Sequence, residues 1–497
     1  MKKVTSVFNM KESEKIHIQK LANSYDLMNV AGKEAAKFIK RDFNKALILC
    51  GTGNNAGDGY VIASELIKDN KDVTLFLIKD KFSADSLHFY NLIKDKIKVI
   101  INEDIDFNSY DLIIDSLLGT GFEGDLKDEY KKIIIKANDT NAYKIAIDIN
   151  SGLNASNGLT SLAFKSDLTI AIGYLKPGHI LNMAKDYIKE LKIADIGVNL
   201  IYEPYYLIEE EDLTEIFKKR LNYSHKGTYG YDVLIGGSLP YSGAIRLAAM
   251  ANSCVRSGAG VVKIAVPKII AKEIIPHILD ATIYPLSSDD SHFIFKEEEF
   301  KELIKNTKSI SFGMGIGNTV DTKNALIYLL NNYENNLIID ADGINALAEL
   351  DLNILKNSKA KIILTPHIKE FFRLTNEKID DILNDPISKA KEFAKKYNVI
   401  VLLKGTTTII TDGEKIYLTN TGTPGMAKGG SGDVLSGIIC AILGYSSDIL
   451  FGTAAGAFIN GKAGEKAALK HSPYTMTASD TALNVADVID EIYNKNL

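Results

Sequence analysis

Short apolar runs that stop at a glycine or a polar residue, separated by stretches with helical spacing, set the rhythm of this chain. In the first part the runs fall at 46–50, 73–78, 112–115 and 144–148, and the intervening stretch 129–137 carries its apolar residues at helical intervals. Alternation of this kind predicts βαβ units and a parallel sheet. Around 199–212 the pattern loosens into acidic and tyrosine-containing sequence. A second array follows, with runs at 233–237, 337–340, 361–364 and 399–403. The fold class expected is therefore α/β in two domains, 1–210 and 211–497, which agrees with 497 residues being more than one core usually organises. No short-period repeat or low-complexity tract interrupts the pattern, which excludes a solenoid.

Composition narrows the function classes. An apolar share of 46% and a charged share of 24% are those of a globular protein, and no apolar run approaches a membrane span. The first twenty residues lack the apolar centre of a signal peptide, so a cytoplasmic protein is expected. Cys50, Cys254 and Cys440 have no metal-ligand spacing and sit in apolar surroundings, where reduced, buried thiols are expected. A net charge of −5 without a long basic run argues against nucleic acid as a partner.

Open α/β sheets bind ligands beyond the C-terminal ends of their strands, and chemistry-bearing residues cluster at those positions. The most informative segment is Lys428-Gly429-Gly430-Ser431-Gly432-Asp433, which runs into an apolar helical stretch. Closely set glycines at a helix start turn amide groups toward one point and cradle an anion. An aspartate there would repel a phosphate that was merely bound. Asp433 makes sense as a base that takes the proton from a hydroxyl attacking a phosphoryl group. Gly313 to Asn318, Asp340-Ala341-Asp342, Thr365-Pro366-His367 and Lys404-Gly405-Thr406-Thr407-Thr408 follow other strand runs and should line the same crevice. Lys404 and the threonines suit a nucleotide's phosphates or ribose. Asp340 and Asp342 suit either a metal carried on phosphate or a cap on the next helix.

In the first half, Cys50 ends a run before Gly51-Thr52-Gly53-Asn54-Asn55-Ala56-Gly57-Asp58-Gly59. This fits the dinucleotide fingerprint of a dehydrogenase poorly, because Asp58 would face the pyrophosphate. Asp115 and Asp148 end further runs, before Ser116-Leu117-Leu118-Gly119-Thr120-Gly121 and Ile149-Asn150-Ser151-Gly152. Oxygen donors gather here without Cys or paired His, which suits a hard cation and excludes zinc, while a turn-capping role stays open.

The second half, from Ser224 onward, resembles the ADP-dependent NAD(P)H-hydrate dehydratases. The motifs that carry this are His225-Lys226-Gly227, Tyr241-Ser242-Gly243-Ala244, Arg256-Ser257-Gly258-Ala259-Gly260, Gly422-Thr423-Pro424-Gly425-Met426-Ala427 and the Asp433 loop. The first two hundred residues resemble the NAD(P)H-hydrate epimerases. Together the resemblances imply a Rossmann-like parallel-sheet domain followed by a ribokinase-like α/β domain, in a bifunctional enzyme that epimerises the R and S hydrates of NADH and NADPH and dehydrates the S form with ADP. They imply Asp433 and Asp148 as catalytic groups, and Ala244, Gly317, His367 and Asp433 as hydrate contacts. Lys404, Gly405, Thr406, Thr407, Thr408 and Gly432 are implied as nucleotide contacts. In the epimerase half, the loops Asn54, Asn55, Ala56, Gly57, Asp58 and Gly119, Thr120, Gly121, Phe122, Glu123, Gly124, Asp125 would hold substrate with Asp148. K⁺ would bind Asn55, Asp115 and Ser151, Mg²⁺ would serve the dehydratase site, and a homo-oligomer is expected. Two departures stand out: Ile368-Lys369 replaces the usual proline and glycine after His367, and Asn29-Val30-Ala31-Gly32 replaces Glu-Asn-Ala-Gly. The alternatives are a vitamin or sugar kinase with an accessory N-terminal domain, and a nucleotide sensor that binds ADP without consuming it.

Overall fold

The computed structural model describes residues 1–40, 42–250 and 255–495. Contacts divide the chain into two units, Lys3–Tyr205 on one side and Met1–Lys2 with Tyr206 onward on the other.

In the smaller unit seven strands form one sheet, ordered Lys98–Ile101, Asp72–Leu77, Lys45–Cys50, Leu112–Ser116, Tyr143–Ile147, Ser166–Ile172 and Ile188–Ala194. Every neighbouring pair is parallel, as the alternating pattern predicts. Strand order reverses between Lys45–Cys50 and Leu112–Ser116, and an open sheet has its ligand crevice at such a reversal. The helix Asn54–Lys68 starts there. It packs on the helix Asp26–Ala36 at glycines: a Cβ on Gly32 would lie 2.4 Å from Val61 Cβ, and one on Gly57 would lie 2.2 Å from Met28 Sδ. Gly57 and the buried Ala56 thus serve helix packing.

The larger unit has a parallel run of strands ordered Thr282–Leu286, Val261–Pro267, Tyr231–Ile235, Ser309–Phe312, Asn336–Ile339, Lys361–Leu364 and Ile400–Leu403. Beyond these, Thr408–Thr411 and Ile416–Thr419 pair antiparallel, a hairpin that the apolar runs do not announce. Order reverses between Tyr231–Ile235 and Ser309–Phe312. Across that reversal lies the helix Ser431–Tyr445, whose residues Val434 to Leu443 are all buried, with the helix Ile449–Ala468 packed beside it. An apolar helix with no polar stripe belongs in a core. Its polar N-terminal turn is thereby fixed at the strand ends.

Cys50 and Cys440 are free and buried, while Cys254 lies outside the described residues. Among the described residues, no helix is long and apolar enough to cross a membrane.

Candidate functional site

In the smaller unit the strand ends bring Asn55, Asp115 and Ser151 around one turn, Leu117-Leu118. Fully buried Asp115 accepts the Ser151 hydroxyl at 2.7 Å and the Leu117 amide at 3.1 Å on Oδ1, and the Ser151 amide at 2.8 Å on Oδ2. Ser151 Oγ accepts the Leu118 amide, and Asn55 Nδ2 donates to the Leu118 carbonyl. Asn55 Oδ1 is buried and, among the described residues, has no partner. Burial pushes the Asp115 carboxyl up to about 6, with the Ser151 and Leu117 hydrogen bonds opposing it. An orphaned amide oxygen beside a buried carboxylate is a donor set that fits a weakly hydrated cation.

Asp148 sits beyond the Tyr143–Ile147 strand with φ 63°, a left-handed conformation that aspartate tolerates better than most residues. Its Oδ2 accepts the Thr120 amide at 2.9 Å and its Oδ1 accepts Lys176 Nζ at 2.9 Å. Burial works against its charge, but Lys176 and the Thr120 amide outweigh it and hold the carboxyl below its ordinary range. Lys176 is 1% exposed and also donates to the Ile172 carbonyl. His179 accepts the Lys176 amide on Nδ1, so Nε2 carries the proton and donates to the Asp148 carbonyl at 2.6 Å. Burial, followed by Lys176, holds His179 at about 4, a neutral ring at physiological pH. Burial, then Asp148 and Glu14, raise Asp58 well above its usual value, and burial raises Glu14. Gly119 passes between Asp148 and Asn55, where a Cβ would lie 3.1 Å from Asp148 Oδ2. Further along that loop Gly121, Glu123, Gly124 and Asp125 are exposed, and Phe122 is half-buried.

In the larger unit Asp340 is the hub. It is 1% exposed and accepts Thr365 Oγ1 at 2.7 Å and Lys404 Nζ at 3.1 Å on Oδ1, and Ser436 Oγ at 2.7 Å on Oδ2. Asp342 accepts the Gly317 amide at 2.9 Å. Neither side chain caps an amide of the helix Asp342–Ala348, so the capping alternative is corrected: Asp340 is engaged by Thr365, Lys404 and Ser436, and Asp342 by the Gly317 amide and by Asn345 Nδ2 within its own helix. Lys404 Nζ also lies 3.9 Å from Glu370 Oε2, and a Cβ on Gly432 would lie 3.3 Å from that ammonium. Burial opposes the Lys404 charge, but Asp340 and Glu370 more than restore it. Asp433, in the first turn of Ser431–Tyr445, has no hydrogen-bond partner among the described residues. Burial and the nearby Asp340 push its carboxyl up to about 7, against the pull of Lys404.

His367 caps the helix Ile368–Thr375: its Nδ1 accepts the Lys369 and Glu370 amides, both at 3.1 Å, while Glu370 Oε2 accepts the His367 amide. Ile368-Lys369 therefore leaves the cap intact. With Nδ1 occupied, Nε2 is the ring atom left for a ligand. The three threonines part company: Thr406 is exposed, Thr407 is buried and bonds Asn420, and Thr408 opens the Thr408–Thr411 strand. Ala244 packs against Gly315, and Gly317, at φ 84°, faces the His292 ring. Among the described residues no three His, Cys, Asp or Glu side chains form a metal cage. A magnesium ion at these carboxylates would have to arrive on phosphate, its usual mode of binding.

The family model described as NAD(P)H-hydrate dehydratase matches residues 233–485, and the model described as YjeF-related protein N-terminus matches residues 24–178. A bifunctional NAD(P)H-hydrate repair enzyme from Hyperthermus butylicus is 31% identical over 496 residues, spanning 96% of this chain and 90% of that one. This chain belongs to the bifunctional NAD(P)H-hydrate repair enzymes. A second family member, from Archaeoglobus fulgidus, is 32% identical over 469 residues and 93% of each chain. Among solved structures, the ADP/ATP-dependent NAD(P)H-hydrate dehydratase from Bacillus subtilis, co-crystallized with ATP/Mg²⁺, is 27% identical with a TM-score of 0.50. It covers 59% of this repair enzyme and 99% of its own chain. A hypothetical protein from Streptococcus mutans is 28% identical with a TM-score of 0.51, over 58% and 99% of the two chains.

Several residues at these sites escaped the sequence reading. Lys176 and His179 follow the Ser166–Ile172 strand, and the strand-end rule applied to that run would have found them. Glu14 and Ser436 lie inside helices, and nothing in their local sequence marks them.

Proposed function

We propose that residues 1–210 of this repair enzyme interconvert the R and S hydrates of NADH and NADPH, and that residues 211–497 dehydrate the S form with ADP, giving NAD(P)H, AMP and phosphate. The observation that carries the dehydratase reading is Asp433: a carboxyl poised near neutrality at an open helix N-terminus, beside Lys404. As base it takes the proton of the hydrate's hydroxyl while that oxygen attacks the terminal phosphoryl group and AMP leaves. Departure of phosphate from that ring carbon, with loss of a proton from the neighbouring carbon to solvent, then restores the double bond. Lys404 and the amides around Gly432 offset the phosphate charge, Gly405 and Thr406 contact the nucleotide with support from Thr407 and Thr408, and Ala244, Gly317 and His367 position the nicotinamide ring. Asp433 and Asp340 would hold Mg²⁺ brought in with the phosphates, and the ion would supply charge neutralisation at the transferred group.

In the epimerase half, Asp148 is the acid-base group, held charged by Lys176, with Asn54 to Asp58 and Gly119 to Asp125 as substrate loops. K⁺ bound by Asn55 Oδ1, Asp115 and Ser151 would fix the Leu117-Leu118 turn from which the second loop departs. The enzyme works as a cytoplasmic homo-oligomer in this reading. Its test is phosphate release from ADP with purified NADH hydrate. Stoichiometric release with return of NADH absorbance is the expected outcome. Phosphate retained on the product would instead make the protein a kinase, and ADP bound without turnover would make it a sensor.

A further inference from the structure

At the opposite, N-terminal edge of the larger sheet, buried oxygens line up in one row. Asp232 on Tyr231–Ile235 is the register partner of Ser309 on Ser309–Phe312, which in turn partners Asn336 on Asn336–Ile339. Directly opposite residues project to the same face of a sheet. Asp232 is 1% exposed and Ser309 fully buried, and among the described residues neither Asp232 carboxylate oxygen nor the Ser309 hydroxyl has a hydrogen-bond partner. Native proteins seldom leave three such atoms unsatisfied in one place.

The row lies under the C-terminal turn of the helix Ser431–Tyr445. Asn336 Nδ2 donates to the Leu443 carbonyl at 2.8 Å, and a Cβ on Gly444 would stand 2.4 Å from Asp232 Oδ1, so only glycine leaves room for the carboxylate. A helix C-terminus carries partial negative charge and disfavours a second one. Among the described residues, Cys440, Tyr333 and Tyr445 interact electrostatically with Asp232, and none of the three is a cation. Arg220, which also influences Tyr445, is committed to the Gly258 carbonyl and to the Tyr229 ring, 3.7 Å from its centroid. Burial drives the Asp232 carboxyl well above its usual range. Protonation would remove the charge and still leave a carboxyl oxygen and the Ser309 hydroxyl without partners.

We propose that Asp232 and Ser309, beneath the last turn of the Ser431–Tyr445 helix, hold an alkali-metal cation. One carboxylate and a hydroxyl at a helix C-terminus, without His or Cys, suit a single charge and a loose oxygen shell rather than zinc or magnesium. The ion ties the end of the helix whose first turn presents Asp433. It is separate from the K⁺ proposed in the smaller unit and does not rest on any catalytic assignment.

The test is crystals of the full chain grown with thallium(I) in place of potassium. An anomalous peak beside Asp232 and Ser309 is expected, and its absence, or a water in its place, overturns the proposal. In solution, an Asp115→Ala background removes the other candidate ion. Replacing N-methylglucamine by saturating potassium should then raise the melting temperature by on the order of 5 °C. Adding Asp232→Asn should abolish that response without lowering stability in N-methylglucamine. Ser309→Ala should weaken the response, which keeps the test open if the asparagine variant folds poorly. A potassium response that persists in both variants would overturn the assignment.

Discussion

Asp148 and Asp433 each sit at the C-terminal edge of a parallel sheet, in the smaller and the larger unit respectively, yet their surroundings treat them in opposite ways. Asp148 has a buried ammonium and an amide on its two oxygens and stays charged well below neutral pH. Among the described residues Asp433 has no such partner, and the nearby cation Lys404 is already shared with Asp340 and lies within 3.9 Å of Glu370. Burial lifts Asp433 to about 7, helped by the surplus of negative charge that three carboxylates around one ammonium leave. The contrast separates an acid-base carboxylate that rests as an anion throughout the physiological range from one that titrates within it.

The sharpest way to break this comparison is Asp433→Asn. Removing a general base should lower dehydration by about 10² to 10⁴ while ADP binding and epimerisation persist, because the amide cradle and the other unit are untouched. Single-turnover phosphate release together with ADP titration measures both. Normal turnover would remove Asp433 from the mechanism.

The counterpart in the smaller unit is Lys176→Met. It leaves Asp148, whose side chain is 14% exposed, without its buried cation, which should destabilise that unit by about 3 kcal/mol, the lower end for a broken buried pair. Epimer interconversion should fall by about a hundredfold at pH 7. Chemical denaturation followed by probes in each unit should place the loss in residues 3–205. If stability and interconversion are both unchanged, the ion pair does not hold Asp148.

Why the pairing of Lys176 with Asp148 had to come from the structure while Asp148 itself did not is a matter of distance along the chain. The apolar run that ends at Asp148 marks that residue locally, and Asp115, Asp340 and Lys404 are marked in the same way. The parallel sheet and the two-unit α/β fold follow from the same periodicity. Side-chain partnership leaves no such trace: Lys176 meets Asp148 across 28 positions, and Ser436 meets Asp340 across 96. The Thr408–Thr411 and Ile416–Thr419 hairpin was hidden because four-residue apolar strands carry too short a period to show their direction. The threonine run likewise looks uniform in sequence, and only the fold buries Thr407 against Asn420 and leaves Thr406 outside.

The pH dependence separates the two aspartates more gently. A base must be unprotonated, so dehydration should rise about tenfold per pH unit below about 7 and level off above it, with no corresponding step from Asp148 in epimerisation. Stability should move the other way. Between the ordinary carboxyl value of 3.8 and about 7, folded Asp433 keeps a proton that the unfolded chain has released, so its contribution is lost as pH rises through that window. Asp433→Asn should flatten this decline in melting temperature measured from pH 4 to 7. An equally steep decline in the variant would assign it to another group.

The smallest expected effect concerns the cation of the smaller unit, and it tests whether fixing Asp148 requires more than Lys176. Asp148 is held from one side by Lys176 and from the other by the Thr120 amide, and Thr120 lies two residues beyond the Leu118 amide and carbonyl that engage Ser151 and Asn55. An ion on Asn55 Oδ1 and Asp115 would therefore fix one of the two clamps and leave the other alone. Replacing potassium by N-methylglucamine should slow interconversion by about tenfold, a loss of roughly 1.4 kcal/mol at the transition state, less than the loss of Lys176 itself. Asp115→Ala should give a similar drop and erase the potassium response, while dehydration of the S hydrate stays unchanged in that variant. Interconversion that is indifferent to potassium in the wild-type chain, with no thallium peak at Asn55, would reduce Asp115 and Ser151 to a turn cap and leave the Asp148 charge to Lys176 and the Thr120 amide.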